Sequence, residues 1–241
     1  MNKTIFITGA AKRIGKEIAL TFKELGWNII IHYNSSKEAA DDLAAEINNS
    51  NANSAVTVQG NLDVKEDVEK IISEVLDAFP SIDLLINNAS TFYPTPIDDI
   101  SEDHWEKLIG SNLKGPLFLL QGLKQKLIES KGSIINITDT NLSKGVANYS
   151  IYSAAKAGLE AITKGLAREL APEIKVNAIA PGPFPSNMLG PAVGHDYSGI
   201  AKANPRGRVG SPEDIAGFQF DVDGATVLSA SGGEADAAGF M

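Results

Sequence analysis

A chain of 241 residues, 43% hydrophobic and 21% charged, has ordinary globular proportions and can bury a sizeable core within one α/β domain. Its formal net charge of −9 excludes broad binding to nucleic acid or to anionic membranes, although a local basic pocket can still hold a phosphate. The absence of cysteine excludes disulfides, thiolate catalysis and cysteine-ligated metals, and it fits a cytoplasmic location.

From the first residue, strand-like and helix-like segments alternate. Lys3–Thr8 (KTIFIT) is a short β-branched apolar run that glycine and charge soon interrupt, so it predicts a buried strand rather than a signal peptide. Arg13–Leu25 carries Ile14, Ile18, Phe22 and Leu25 at helical spacing, and Gly26 closes it. Asn28–Tyr33 predicts a second strand, followed by a helix near Ser36–Asn48 and a third strand at Ala55–Gln59. Asp63 and Glu66 predict a capping box for the next helix, which runs to about Phe79 before Pro80.

Ile82–Asn87 predicts the fourth strand, and a long helical tract covers roughly Ser101–Glu129. Ser133–Thr138 predicts a fifth strand, Tyr149–Leu170 a helix, and Lys175–Ala180 a sixth strand. Continuous apolar strands separated by helices predict a doubly wound parallel sheet in the order 3-2-1-4-5-6, Rossmann-like, with helices on both faces. The domain is expected over residues 1–216, with a substrate loop at about 183–205. Residues 217–241 are poor in apolar periodicity and predict an atypical, mobile tail, leaving a seventh strand open.

Four features point to chemistry. The first βα turn reads Thr8-Gly9-Ala10-Ala11-Lys12-Arg13-Ile14-Gly15, where glycine allows a tight turn and the following helix offers free N–H groups to a diphosphate. The second strand ends in His32-Tyr33-Asn34-Ser35-Ser36-Lys37 without the carboxylate that would repel an adenosine 2′-phosphate, so NADPH is expected. Ser35 and Ser36 can donate to that phosphate, with Arg13 and Lys37 supplying positive charge. Tyr152 and Lys156 lie four apart on one helix face, and a nearby ammonium is expected to favour the phenolate. Asp139 ends the fifth strand as a possible proton partner for Tyr152, a role that needs a protonated carboxyl. His32, His104 and His195 show no ligand spacing, so no metal is expected.

Together with Asn87-Asn88-Ala89, Asn112 in Ser-Asn-Leu-Lys-Gly and Asn177–Gly182 (NAIAPG), these features resemble the short-chain dehydrogenase/reductase family over about residues 3–216. The resemblance implies Asn112, Tyr152 and Lys156 as catalytic residues. Tyr152 would protonate the acceptor, Lys156 would also hold the nicotinamide ribose, and Asn112 would support a water-linked proton path. It places Gly9, Arg13, Ile14, Gly15, His32, Asn34, Ser35, Asn61, Leu62, Asn88, Ala89, Pro181, Gly182 and Ser186 around the cofactor, and it implies a homo-oligomer, dimer or tetramer, if the C-terminal edge is intact.

A narrower resemblance, to pteridine reductases, rests on Arg13 in place of a glycine, Ser90 and Phe92 after Asn-Asn-Ala, and Asp139 in place of a serine. It implies a dihydropterin or dihydrofolate substrate held by Arg13, Ser90, Phe92, Asp139 and Tyr152, with Asp139 joining Tyr152 in protonation. A flat heteroaromatic ring needs a stacking face, which Phe92 would offer. Pro183–Met188 (PFPSNM) instead resembles carbonyl-reducing members, so reduction of a keto substrate of the 3-oxoacyl-carrier-protein type stands as the alternative.

Overall fold

The computed structural model describes residues 2–143 and 145–182. Six strands, β1 (Thr4–Ile7), β2 (Asn28–Tyr33), β3 (Ala55–Gln59), β4 (Leu84–Asn87), β5 (Ser133–Ile137) and β6 (Lys175–Ile179), form one parallel sheet. Their order is β3-β2-β1-β4-β5-β6, as expected of a Rossmann-like α/β fold. The predicted substrate loop, Ser186 and the C-terminal tail lie outside the described residues.

Side chains alternate across each strand, which splits the apolar runs between two cores. Ile5, Ile7, Ile29 and Ile31 face one side, where α1 (Arg13–Glu24) and α2 (Lys37–Ser50) contribute Ile18, Ala19, Leu43 and Ile47. Phe6, Ile30, Leu85 and Ile134 face the other, against Val68, Ile71 and Val75 of α3 (Lys65–Ala78) and Leu119, Leu123 and Leu127 of α5 (Gly115–Glu129). Both faces are therefore covered, which is why the strands read as uninterrupted apolar runs. A small third cluster joins Leu108 of α4 (Glu102–Ile109) to Ile151 and Tyr152 of α6 (Ser150–Glu169) and forms one wall of the crevice beyond β4 and β5.

One expectation needs correction. The capping box at Asp63 and Glu66 does not form, because α3 begins at Lys65 with Val64 at its N-cap and no side-chain capping bond. Glu66 then lies one position too early for the reciprocal contact. Asp67 takes the local donor instead, accepting the Asn61 N–H at 2.7 Å, while Asp63 Oδ1 is buried without a partner. The helical tract expected over Ser101–Glu129 forms, running from Glu102 to Glu129. A π-helical turn at Gly110–Lys114 separates α4 from α5. A side chain at Gly110 would meet Asp63 Cβ at 2.4 Å and Asp63 Cα at 2.8 Å, so glycine lets this turn press against the loop after β3.

Candidate active site

The first part of the site is a cradle between the ends of β1, β2 and β4. Gly9 leaves β1 with φ +63°, a left-handed conformation that suits glycine, and a Cβ there would lie 3.0 Å from Ala89 Cα. Gly15 is equally confined, since its Cβ would fall 2.4 Å from the Gly9 carbonyl oxygen. Ala89 and Asn88 lock the far side: their N–H groups both donate to Thr8 Oγ1 at 3.0 Å, and Asn88 Nδ2 donates to the Thr8 and Gly9 carbonyls. No side chain caps the first turn of α1 and no acidic residue sits in it, so its N–H groups remain available to an anion. Ile14 meanwhile packs its side chain against the core beneath.

His32 is buried and clamps this cradle from below. Its Nδ1 accepts the Gly9 N–H at 3.1 Å, which leaves Nε2 to donate to the Gly60 carbonyl at 3.0 Å. Burial lowers its pKa to about 4, so the ring is neutral at ordinary pH. With both nitrogens used, His32 shapes the loop rather than offering a free donor to a ligand. Arg13 begins α1 with φ +55°, a conformation disfavoured for a side-chain-bearing residue.

At the edge of the cradle, Asn34 and Ser35 are exposed beyond β2, and Asn34 Nδ2 approaches Asn61 Oδ1 at 3.5 Å. Leu62 is buried in the core between α3 and α5. Lys37, expected near a phosphate, is instead paired with Asp41 one helical turn along α2. Ser36 occupies the α2 N-cap without making a side-chain capping bond.

The second part of the site gathers Tyr152, Lys156, Asp139, Asn112, Ser90 and Phe92. Tyr152 and Lys156 share one face of α6, with the ammonium 6.0 Å from the phenol ring centroid. Lys156 is 2% exposed and donates to the Ile137 carbonyl at 2.9 Å. Burial pulls its pKa down to about 8 against an upward pull from Asp139. The Tyr152 hydroxyl donates to Asp139 Oδ2 at 2.9 Å, while Asp139 Oδ1 accepts the Asn141 N–H at 2.7 Å.

Lys156 does not make a direct hydrogen bond to the phenol, since its ammonium donates to the Ile137 carbonyl. Tyr152 is pushed well above the ordinary tyrosine value, first by burial and then by the Asp139 charge, with the phenol's bond to Asp139 adding to the shift. Tyr152 is therefore a neutral donor across the whole physiological range.

Asn112 projects from the π-helical turn and is fully buried. Its amide nitrogen donates to the Thr91 and Leu108 carbonyls at 2.9 and 3.0 Å, which turns Oδ1 toward Ser90. Ser90 Oγ donates to that oxygen at 2.8 Å. Phe92 packs its edge against Tyr152, with centroids 4.7 Å apart, and stacks face to face on Tyr149 at 4.6 Å and 14°. Pro181, whose carbonyl accepts from Thr140 Oγ1 at 3.2 Å, and Gly182 close the described chain beside β5.

Two contributors escaped the sequence reading. Tyr149 covers one face of Phe92, and its three-residue spacing from Tyr152 on the same helical face was the available signal. Asn136 pairs in register with Asn87 across β4 and β5, accepts its amide at 2.8 Å and donates to Thr163 on α6 at 2.8 Å. An asparagine within each of two apolar strands was the trace of that buried ladder.

Comparison with known proteins agrees with this arrangement. The family model described as short chain dehydrogenase matches residues 3–195. The chain is 34% identical over 218 residues to the 3-oxoacyl-[acyl-carrier-protein] reductase FabG of Staphylococcus epidermidis, covering 90% of this chain and 89% of that one. It is 35% identical over 240 residues to the 3-oxoacyl-[acyl-carrier-protein] reductase of Synechocystis, covering 92% and 96%. It is also 32% identical over 218 residues to the uncharacterized oxidoreductase YmfI of Bacillus subtilis, covering 90% and 89%. The narrower resemblance to pteridine reductases gives way here: it rested on a few positions, whereas these likenesses run through nine-tenths of the chain. The nucleotide cradle, the Tyr152 and Lys156 pair and a family match over most of the length make this chain an oxidoreductase of the nicotinamide-dependent short-chain dehydrogenase family.

Proposed function

We propose that the protein is an NADPH-dependent carbonyl reductase acting on a 3-oxoacyl thioester, with Tyr152 as the proton donor. The observation that carries this reading is the Tyr152 hydroxyl at the crevice, hydrogen-bonded to Asp139 and one helical turn from the buried Lys156. Two relatives named for 3-oxoacyl reduction, each alike over nine-tenths of the chain, support the substrate class.

The cradle fits a dinucleotide. Gly9 and Gly15 allow a tight turn in which any side chain would collide with neighbouring protein atoms, and the uncapped start of α1 suits a diphosphate. The end of β2, His32-Tyr33-Asn34-Ser35, carries no acidic residue, which favours the 2′-phosphorylated form. Bound NADPH would supply the hydride. Around it, Arg13 would contribute charge, Asn88 and Ala89 would hold the wall, and Lys156 would reach the ribose. Tyr152 would orient the carbonyl and pass its proton to the oxygen. A general acid so placed contributes on the order of 10²–10⁴ in rate.

One observation favours a second substrate, a dihydropterin or dihydrofolate. Asp139 bonds Tyr152 directly, which would put a second acid beside a ring nitrogen. Phe92 has one face covered by Tyr149, so a pterin would need the other. The purified protein with NADPH should consume acetoacetyl thioesters faster than dihydrobiopterin or dihydrofolate from about pH 4.5 to 8. Faster pterin turnover with an acidic optimum overturns the keto reading. Asp139→Ser sharpens the choice: keto turnover should stay within about threefold, whereas pterin reduction would lose on the order of 10²-fold or more.

A further inference from the structure

Three polar side chains cross a core that apolar residues could fill. Asn87 Nδ2 donates to Asn136 Oδ1 at 2.8 Å, Asn136 Nδ2 donates to Thr163 Oγ1 at 2.8 Å, and the Thr163 hydroxyl donates to the Leu159 carbonyl at 2.7 Å. All three are buried, on the sheet face that also carries Leu85 and Ile134, with Leu166 of α6 packed against it. Asn87 Oδ1 has no partner, so the chain of bonds starts at the end of β4 and runs one way, into α6. Polar groups placed here add little net stability over apolar ones. What they add is direction. Apolar contact lets a helix slide on a sheet, whereas a hydrogen bond holds only within a narrow range of length and angle.

Lys156 depends on that direction. Thr163 lies two helical turns beyond it on the same face of α6. The two side chains reach neighbouring residues of β5: Thr163 accepts from the Asn136 side chain, and Lys156 Nζ donates to the Ile137 carbonyl at 2.9 Å. The ammonium is buried, so any retreat of α6 from β5 stretches a bond whose loss leaves a charge poorly compensated. The other end of the ladder is Asn87, directly before Asn88 and Ala89, whose N–H groups fix the cradle wall on Thr8. The ladder therefore joins the catalytic helix to the strand that ends in the cofactor site.

We propose that Thr163 is a positioning residue for Lys156: its bond to Asn136 sets where α6 rests on β5, and so how firmly the Ile137 carbonyl holds the ammonium that takes the nicotinamide ribose. This rests on the reading that Lys156 holds that ribose. The ladder exchanges no proton with a substrate and acts through position alone. Among the described residues, Asp139 after β5 and Tyr152 one turn back on α6 stand beside Lys156 as titratable groups, and neither belongs to the ladder.

The test is NADPH binding without substrate, followed by fluorescence from about pH 6 to 10. It compares wild type with Thr163→Val, which keeps the shape but removes the hydroxyl, and with Thr163→Ser, which keeps the hydroxyl. Wild type should bind more weakly above about pH 8, where Lys156 loses its charge. A weaker carbonyl bond stabilises the ammonium less, so in Thr163→Val the transition should fall by about one pH unit. With half of the lysines then neutral at pH 7, the dissociation constant there should be about twofold above wild type, and equal to it near pH 6. The alkaline limb of kcat for keto reduction should shift by the same amount, and Thr163→Ser should follow wild type in both. Lys156→Met assigns the transition: its binding should be level across the range, and a transition that survives there overturns the proposal. So does a Thr163→Val curve that coincides with wild type, or one raised by the same factor at every pH, or a Thr163→Ser curve that matches Thr163→Val. Should Thr163→Val not fold, Thr163→Cys, similar in volume and a weaker acceptor, takes its place under the same criteria. If wild type turns over neither keto thioester nor pterin, the proposed function fails, while the binding titration still decides on Thr163.

Discussion

Replacing Lys156 with methionine should stabilise the protein while abolishing its activity. The side chain is 2% exposed, and burial takes its pKa from 10.5 to about 8. At about 1.4 kcal/mol per pH unit, keeping this ammonium inside the fold costs about 3 kcal/mol relative to the neutral amine. The folded pKa lies below the unfolded one, so between about pH 8 and 10.5 the unfolded chain binds more protons and stability rises with pH. The penalty is complete below pH 8 and gone above 10.5. Methionine fills similar space without charge but gives up the 2.9 Å bond to the Ile137 carbonyl, a loss of about 1 kcal/mol. The net gain at pH 7 is then about 2 kcal/mol, roughly 4–8 °C in melting temperature. Thermal unfolding at pH 7 and at pH 10.5 reads this directly: the variant should melt higher at the first and no higher at the second. A melting temperature at pH 7 equal to or below wild type refutes the reasoning, as does an equal gain at both pH values.

Three further outcomes follow from the same geometry. Reductase kcat should decline above about pH 8 with a one-proton slope, as Lys156 loses the charge that would hold the ribose; a profile flat to about pH 9.5 contradicts this. Arg13→Gly relieves a φ of +55° and should add about 1 kcal/mol of stability in urea unfolding, while calorimetry shows weaker NADPH binding from the lost positive charge. Gly110→Ala drives a methyl into Asp63 at 2.4 Å, so it should lose about 1–3 kcal/mol of stability and, by displacing Asn112, lower kcat more than it raises KM.

The parallel sheet could be read from the chain because each strand is an apolar run of four to six residues between helical segments, and β2 and β3 begin and end where the sequence places them. The pairing of Tyr152 with Lys156 was legible for a similar reason: a spacing of four on a helix is geometry that any sequence displays. The helix start at Lys65 was misplaced because Asp63 and Glu66 satisfy a local rule that the packing of the loop against Gly110 overrides. The π-helical turn at Gly110–Lys114, inside the expected helical tract, left only a pair of glycines as its trace.

By itself, then, the sequence determined the order of elements, the glycine cradle and which side chains could carry proton chemistry, since these depend on local periodicity and residue type. Tertiary structure alone decided the charge state of those side chains. The phenol's pKa rises because it is buried and because Asp139, thirteen residues upstream, stands against it. Electrostatic interactions depend on distance and on water exclusion, and neither is written in the spacing of residues along a chain.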